Sequence, residues 1–452
     1  MKKTIVPLCL IAMLLCACEK DDYVQNKSKD PNATKINKVI YDIMSVYYLW
    51  NENMPQYQTV GNKDTEEFFE SLLNKPADKW SYVSDDSEAE MAELAGSPYS
   101  MGYSPMFVYT DKSKNEICII VEYVYPGTPA DKAGLKRGDI IITINGQTMN
   151  KDNYVDLYKL ENATFGLGKY DASVEPHSFS LTGETLKVKS EILNVNPSIY
   201  DTIFYVNNKP VGYYVFTEFN IGKRCISAID DVFDKFRGAG VKDLIIDLRY
   251  NGGGVVETAT HLASAIAPAN VANGKNVFFT YIYNATIAED DDVVKFPVNE
   301  HNADIENLYV LCTENTASAS ELVICGLMPY MNVKLIGTNT HGKYCGMFCF
   351  DKSVERKLEN WFLCPICFKY ANSAGLTDFK DGLKPDYVVK EDVTNMYPFG
   401  DINDPMLSTA LDVVGGQPLT AKSARLTQDE IVVLGRDKSI VHNNLIVSGI
   451  LK

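Results

Sequence analysis

The chain has 452 residues, 46% of them hydrophobic and 23% charged. That is long enough for two or three packed domains and too apolar for a disordered chain. A formal charge of −16 excludes the basic stripe that a phosphate backbone requires, so no nucleic-acid partner is expected.

The first stretch, MKKTIVPLCLIAMLLCAC, starts on two lysines, runs through a short apolar segment and ends in small residues. This is the make-up of an export signal too short to span a bilayer. Leu15-Cys16-Ala17-Cys18 resembles a bacterial lipobox, although Cys16 stands where Ala or Ser is more usual. Cleavage there leaves Cys18 as a lipidated first residue; the competing reading is secretion with Cys18 free. Residues 1–17 are therefore read as a signal peptide and 18–33 as a lipidated tether. Glu19-Lys20-Asp21-Asp22 is similar to an acidic display tag. The expected location is the outer membrane, on its periplasmic or cell-surface side, with the membrane as a partner through Cys18.

Ile36, Val39, Ile40, Ile43, Val46, Tyr47 and Trp50 recur at three- and four-residue spacing, which predicts one helix face against a core. Phe68, Phe69, Leu72 and Leu73 predict a second helix, capped by Asp64 or Thr65. Residues 34–98 read as a small helical domain, with Trp50 in its core rather than in a ligand groove.

Strands are predicted at Met106–Tyr109 and Ile117–Val124, followed by PGTPADKAGLKRGDIIITINGQTM at 126–149. Pro126-Gly127 turns, Ala130–Ala133 form a short helix that Gly134 stops, Ile140–Ile144 extend, and Asn145-Gly146 make a hairpin turn. In that order these features resemble a PDZ domain of bacterial proteases, assigned to residues 99–195. The resemblance implies capture of a peptide tail by strand addition. It also implies a binding loop ahead of the first strand, Gly102-Tyr103-Ser104-Pro105-Met106, with Gly102, Tyr103, Ser104 and Met106 as contacts. This loop departs from the usual Gly-apolar-Gly pattern.

Beyond residue 205 strands and helices alternate, the mark of an α/β core. Val211–Phe216 predicts a strand, Ile226–Phe236 a helix, and the apolar run Leu244–Leu248 a strand buried on both faces. DLRYNGGG at 247–254 then leads into the helical stretch Val255–Ile266. The turn lacks a Walker lysine and the dinucleotide spacing, but it can aim backbone amides at an oxyanion. Leu308–Leu311 is another buried strand, leaving through TASASE at 316–321. Ser318 and Ser320 are both candidate nucleophiles on a strand-to-helix turn. The helix Glu321–Met328, the strand Val333–Ile336 and a loop from Gly337 to Lys343 follow. His341 and His261 have no acidic partner at a telling position, so a Ser-His-Asp triad is poorly supported. Lys343, beside Gly342 and the apolar run Tyr344–Phe350, serves as a base if burial lowers its pKa from about 10.4.

DLRYNGGG, TASASE and GTNTHGK together resemble the tail-specific, or C-terminal processing, proteases: serine peptidases of family S41 with a Ser-Lys dyad. The resemblance extends to DGLKPD at 381–386, as a closing strand, and to Tyr-Leu-Trp-Asn at 48–51. It implies Ser318 as nucleophile, Lys343 as base, and oxyanion donors at Gly252 or Gly253 and at Ala319, with Ser320 only starting the helix. No metal or cofactor is implied. The fold class is then multi-domain α/β, with a helical N-terminal domain, a β-rich PDZ domain, a ClpP/crotonase-like peptidase core over 205–415 and an extension over 416–452. Met347 stands where many members carry a glutamine that orients the lysine, and Pro329 replaces an acidic residue.

Cys345, Cys349, Cys364 and Cys367 lie on two predicted hairpin strands, Tyr344–Phe350 and Trp361–Tyr370. Core packing is the leading reading, ahead of a disulfide and then of zinc. A last helix is predicted from Asp404-Pro405 to Val414, and a strand over Glu430–Leu434. The expected function is cleavage of unfolded or C-terminally exposed polypeptides; the alternative is a surface lipoprotein that binds peptide tails without cutting them.

Overall fold

The stripe that starts at Ile36 folds as the helix Ala33–Tyr47, burying Ile36, Ile40 and Met44. The predicted second helix is Thr65–Leu72, with the Asp64 carboxylate accepting the Glu66 N–H as its cap. These elements belong to a computed structural model that describes residues 33–110, 113–171, 173, 178–288, 292–417, 433–434 and 445–447. The export signal and Cys18 lie outside the described residues.

The N-terminal helices do not keep a core of their own. These helices bury too little apolar area to stand alone, and the largest apolar cluster runs unbroken from Ile36 and Phe68 to Phe236, Leu262 and Phe368. Trp50 packs against that cluster, as expected of a core residue. Asn284 of the core donates to the carbonyls of Val46 and Tyr48, each at 2.9 Å. The strand Tyr82–Ser84 pairs antiparallel with Phe362–Cys364.

The predicted hairpin forms: Cys345–Phe348 pairs antiparallel with Ile366–Asn372, and Phe350 and Leu363 exchange both backbone bonds, each at 2.9 Å. Pro365 has no N–H for the ladder, and the part before it, Phe362–Cys364, also pairs with Tyr82–Ser84, a partner the sequence did not reveal. The hairpin register sets Cys364 opposite Cys349, and the two form a disulfide, while Cys345 and Cys367 remain buried free thiols. Two of the four cysteines thus follow the packing reading and two the disulfide reading.

The PDZ sheet runs in the order 103–109, 116–124, 147–150, 140–144, 162–171, 178–189. Gly102 has φ of +89°, and a Cβ there would lie 2.3 Å from Thr128 Cβ, so only glycine fits. The strand Tyr103–Tyr109 begins directly after it. Tyr103, Ser104 and Met106 are therefore strand residues rather than loop residues. Tyr103 and Met106 are buried, and the Ser104 hydroxyl donates to Glu122 at 2.6 Å. Val433 bridges antiparallel to Val108, and the Leu434 N–H donates to the Phe107 carbonyl at 2.8 Å. This is the end of the predicted strand Glu430–Leu434, whose first three residues lie outside the described ones.

The core sheet has the order 198–206, 209–216, 243–247, 307–312, 332–337, 387–388, its first pair antiparallel and the rest parallel. Leu244 and Ile246 face the main cluster, and Ile245 and Leu311 face Met406 and Leu407 of the helix Pro405–Val414. This two-sided burial is what continuous apolar strands encode. The DGLKPD run is not itself a strand; its last residue, Asp386, donates its N–H to the Leu335 carbonyl at 2.9 Å, and strand pairing follows at Tyr387–Val388. A second sheet has the order 254–255, 445–447, 345–348, 366–372, 277–282, 293–295.

PDZ module and core meet at a buried charge network. Arg137 donates to the Tyr250 hydroxyl at 2.7 Å and to the Tyr397 carbonyl at 2.8 Å, and pairs with Glu391. Glu391 also pairs with Arg249, which is fully buried and holds Asp247 and Asp404, each at 2.8 Å. Burial alone pushes the Glu391 carboxyl up, but the Arg137 and Arg249 guanidinium groups reverse this and leave it at about 2. Because its folded value lies below the unfolded one, its contribution to stability is present above the ordinary value of 4.5 and is lost as pH falls toward 2. Glu391→Gln is expected to be less stable at neutral pH and to lack this part of the acid dependence. Denaturant titrations of both proteins across that pH range measure the difference.

Candidate active site

Two parallel neighbours, Asp243–Asp247 and Asn307–Cys312, end side by side, and the glycine turn and serine turn leave from their carboxyl ends. Ligands of open α/β sheets gather at this edge. Asn251, fully buried, stitches the two turns together. Its carbonyl accepts the Ala317 N–H and the Ser320 hydroxyl, each at 3.0 Å. Its side chain donates to the Phe216 carbonyl and accepts the Gly253 N–H, each at 2.9 Å. A Cβ on Gly253 would lie 2.8 Å from Ser318 Cβ, so the turns are in backbone contact.

These bonds separate the two serines. The Ser320 hydroxyl is committed to Asn251, whereas Ser318 Oγ is buried with no hydrogen-bond partner among the described residues. Ser318 also holds φ 63° and ψ −112°, a conformation that costs a non-glycine residue about 1–3 kcal/mol and persists only where surroundings enforce it. They also distinguish the candidate oxyanion amides. The Gly253 N–H closes an Asx turn onto Asn251, which leaves the Gly252 and Ala319 amides without an acceptor among the described residues. Ala319 is the first residue of the helix Ala319–Leu327, where an N–H has no partner within the helix.

The enforcing group is Glu321. Its Oε2 accepts the amides of Ser318 at 2.8 Å and of Lys343 at 2.9 Å. Its Oε1 accepts the Gly342 amide at 2.7 Å and the Thr340 hydroxyl at 2.5 Å. Burial holds this carboxyl above the usual range, and the four donors oppose that by favouring the ionised form. On the opposite side the Tyr370 hydroxyl lies 3.2 Å from the Lys343 carbonyl and 3.5 Å from that of Ser318. The His341 amide donates to the Thr316 carbonyl at 3.0 Å, a further tie between base loop and serine turn. The structure thus brings together Ser318, Lys343 and Ala319 with Gly252 and Gly253.

Lys343 has no solvent exposure. Its ammonium nitrogen lies 6.0 Å from the ring centre of Trp80. Met347 is packed in an apolar cluster with Cys345, Phe362 and Ile366 and offers the lysine no amide. His261 pairs with Asp230 at 2.7 Å across two helices, an acidic partner that spacing had not revealed, and bonds no serine.

Two features bound the space around these residues. The strand Leu445–Val447 lies parallel between Gly254–Val255 and Met347–Phe348, so the strands that follow glycine turn and base loop are separated by one extended segment. A cavity of about 450 Å³ is lined by Gly252–Gly254 on one side and by Met101–Pro105 of the PDZ module on another. Glu93 and Glu218 also line it; burial first, and the Glu93 charge second, push the Glu218 carboxyl up to about 8.

Sequence reasoning missed Glu321, Asn251, Tyr370 and Trp80. Only Glu321 carried a local signal, lying three residues after Ser318 in a capping-box spacing. Glu321→Gln keeps the size but turns an NH₂ toward two buried donors. It is expected to destabilise the fold by at least about 2 kcal/mol, because buried donors left unmatched cost about 1–3 kcal/mol each. Equilibrium denaturation of the variant against the wild type checks this.

The model for peptidase family S41 matches residues 210–389, that for the S41 N-terminal domain residues 35–82, and that for a PDZ domain residues 120–162. The carboxy-terminal processing protease CtpA of Bacillus subtilis is 26% identical over 325 residues, 70% of this chain and 60% of that protein. The carboxyl-terminal-processing protease of a Synechocystis strain is 25% identical over 308 residues, 66% of each chain. This chain therefore spans about three fifths to two thirds of the length of these curated relatives. Among solved structures, a candidate S41 protease from Bacteroides fragilis aligns with a TM-score of 0.69 at 28% identity, covering 84% of this chain and 97% of that one. The photosystem II D1 C-terminal processing protease shares the fold, with a TM-score of 0.51 at 19% identity over 85% of this chain and 98% of its own. Glycine turn, serine turn and base loop all fall inside the span of the core match, and the chain belongs to peptidase family S41, with that family's N-terminal domain and a PDZ domain ahead of the core.

Proposed function

We propose that this chain is a serine endopeptidase with a Ser318–Lys343 dyad, cutting unfolded polypeptides or those with an exposed C-terminus. The carrying observation is the shared carboxylate oxygen: Glu321 Oε2 holds the amides of nucleophile and base at one point. Ser318 Oγ adds to the scissile carbonyl carbon while Lys343 Nζ accepts its proton. The Gly252 and Ala319 amides meet the charge that gathers on the carbonyl oxygen. The C–N bond breaks as Lys343 passes the proton to the departing amine, leaving an acyl ester on Ser318. Water then adds to the acyl carbon and gives a proton to Lys343. The ester C–O bond breaks, and that proton returns to Ser318.

The extended segment Leu445–Val447 paired between Gly254–Val255 and Met347–Phe348, and a cavity lined by both the glycine turn and the PDZ module, support an extended polypeptide as substrate. The names of the Bacillus subtilis and Synechocystis relatives support a preference for C-terminal regions. We further propose that Cys18 is lipidated after export and tethers the enzyme to the outer membrane.

Protein purified without its export signal is expected to cleave casein. Ser318→Ala and Lys343→Ala are each expected to lower the rate at least about a thousandfold without changing the melting temperature. Cleavage at the normal rate by either variant sinks the dyad, and a wild type that binds peptide tails without cutting them supports the non-catalytic reading instead. For the anchor, cells fed a labelled fatty acid are expected to label the wild-type protein and not Cys18→Ser; equal labelling removes Cys18 as the acceptor.

A further inference from the structure

One side chain from the N-terminal domain reaches the base loop. Asp78, buried, accepts the amides of Trp80 at 3.0 Å and Ser81 at 2.9 Å on one oxygen and the Tyr48 hydroxyl at 2.9 Å on the other. Ser81 Oγ accepts the Ile366 N–H at 2.8 Å, which ties the same turn to the second sheet. The backbone that carries Trp80 is thus held from both domains. Its indole then meets three residues of the base loop. Nε1 donates to His341 Nε2 at 3.3 Å, the ring centre lies 6.0 Å from Lys343 Nζ, and the ring stands edge-on to Tyr344 at 6.4 Å.

Backbone and side chain of the base are therefore held by different parts of the molecule. Glu321 fixes the Lys343 amide through its carboxylate oxygens, while the indole of Trp80 faces the lysine's side chain. Met347 carries a thioether, a weak acceptor with no donor. Trp80 packs against the same cluster that buries Met347. An indole face suits a base that gains and loses a proton in each cycle. It excludes water from the neutral amine, and its π-electrons attract the ammonium that forms during the reaction.

We infer that Trp80 is a positioning residue for Lys343, aiming and drying the base, so that the dyad is complete only when the N-terminal domain is docked on the core. This rests on the Ser318–Lys343 reading. The titratable groups on or bonded to the base loop are Glu321, Tyr370 and His341, and Cys345 interacts electrostatically with Lys343; all are retained in the variants below.

The test uses Trp80→Ala and Trp80→Phe in the full exported chain, with two readouts. In peptide hydrolysis, Trp80→Ala is expected to lower kcat about tenfold or more with KM within about twofold, and to move the ascending limb of kcat/KM against pH upward by about one unit. Trp80→Phe, which restores a ring face, is expected to recover most of kcat and the original limb. In the second readout, lysines are acetylated in the native protein and read by mass spectrometry. Lys343 is expected to be protected in the wild type and in Trp80→Phe, and labelled several times faster in Trp80→Ala. An unchanged limb together with unchanged Lys343 protection in Trp80→Ala overturns the inference. If Trp80→Ala does not fold, Trp80→Leu carries the same comparison with less loss of volume. Acetylation reports on Lys343 whether or not the protein cuts peptides, so a wild type without Ser318-dependent hydrolysis overturns the dyad while labelling still decides the part played by Trp80.

Discussion

Everything near the proposed dyad depends on one buried carboxylate. Glu321 begins as an ordinary helix-start residue, three positions after Ser318, where an acidic side chain reaches back to the amide that precedes the helix. Here the same carboxylate also takes two amides and a hydroxyl from the loop that carries Lys343. Hydrogen bonds to a charged group contribute about 1.5–3 kcal/mol each, so four of them outweigh the about 1–3 kcal/mol of strain at Ser318. The strained turn and the base loop are consequently one mechanical unit, anchored on a single side chain.

Around that unit the three parts of the chain each supply a different constraint. The core strands deliver the glycine and serine turns to one sheet edge, and Asn251 locks them together by its carbonyl and its side chain. The PDZ module is fastened beside the glycine turn through Arg137 and Tyr250, within a network in which every buried charge has a partner, as burial of charge demands. The N-terminal helices, too small for a core of their own, share that of the peptidase domain and bring Trp80 to the lysine. The disulfide between Cys349 and Cys364 joins the strand region after the base to the strand on which this N-terminal segment docks.

The sheets and helices were legible because their signals are local. The stripe from Ile36, the apolar run Leu244–Leu248 and the cap Asp404-Pro405 each encode their element within a few residues. The hairpin of Tyr344–Phe350 with Trp361–Tyr370 was legible too, but not the further pairing of its Phe362–Cys364 part with Tyr82–Ser84 of the N-terminal segment. Nothing in the run itself announces that partner. The peptide loop of the PDZ module was misplaced for a related reason. Gly102 is a glycine because Thr128 lies against it, and the strand starts immediately after that contact rather than after a loop.

By itself the sequence determined the element types, the glycine and serine turns and the candidacy of Ser318 and Lys343, since turn chemistry, helix capping and motif spacing are properties of neighbouring residues. Tertiary structure decided how the two serines differ in hydrogen bonding, because the Ser320 hydroxyl is taken by a carbonyl 69 residues away. It also decided which amides remain for an oxyanion and which side chains surround the lysine. Hydrogen-bond partners and burial are settled by whatever the completed fold brings alongside a group, and no local pattern specifies that neighbour.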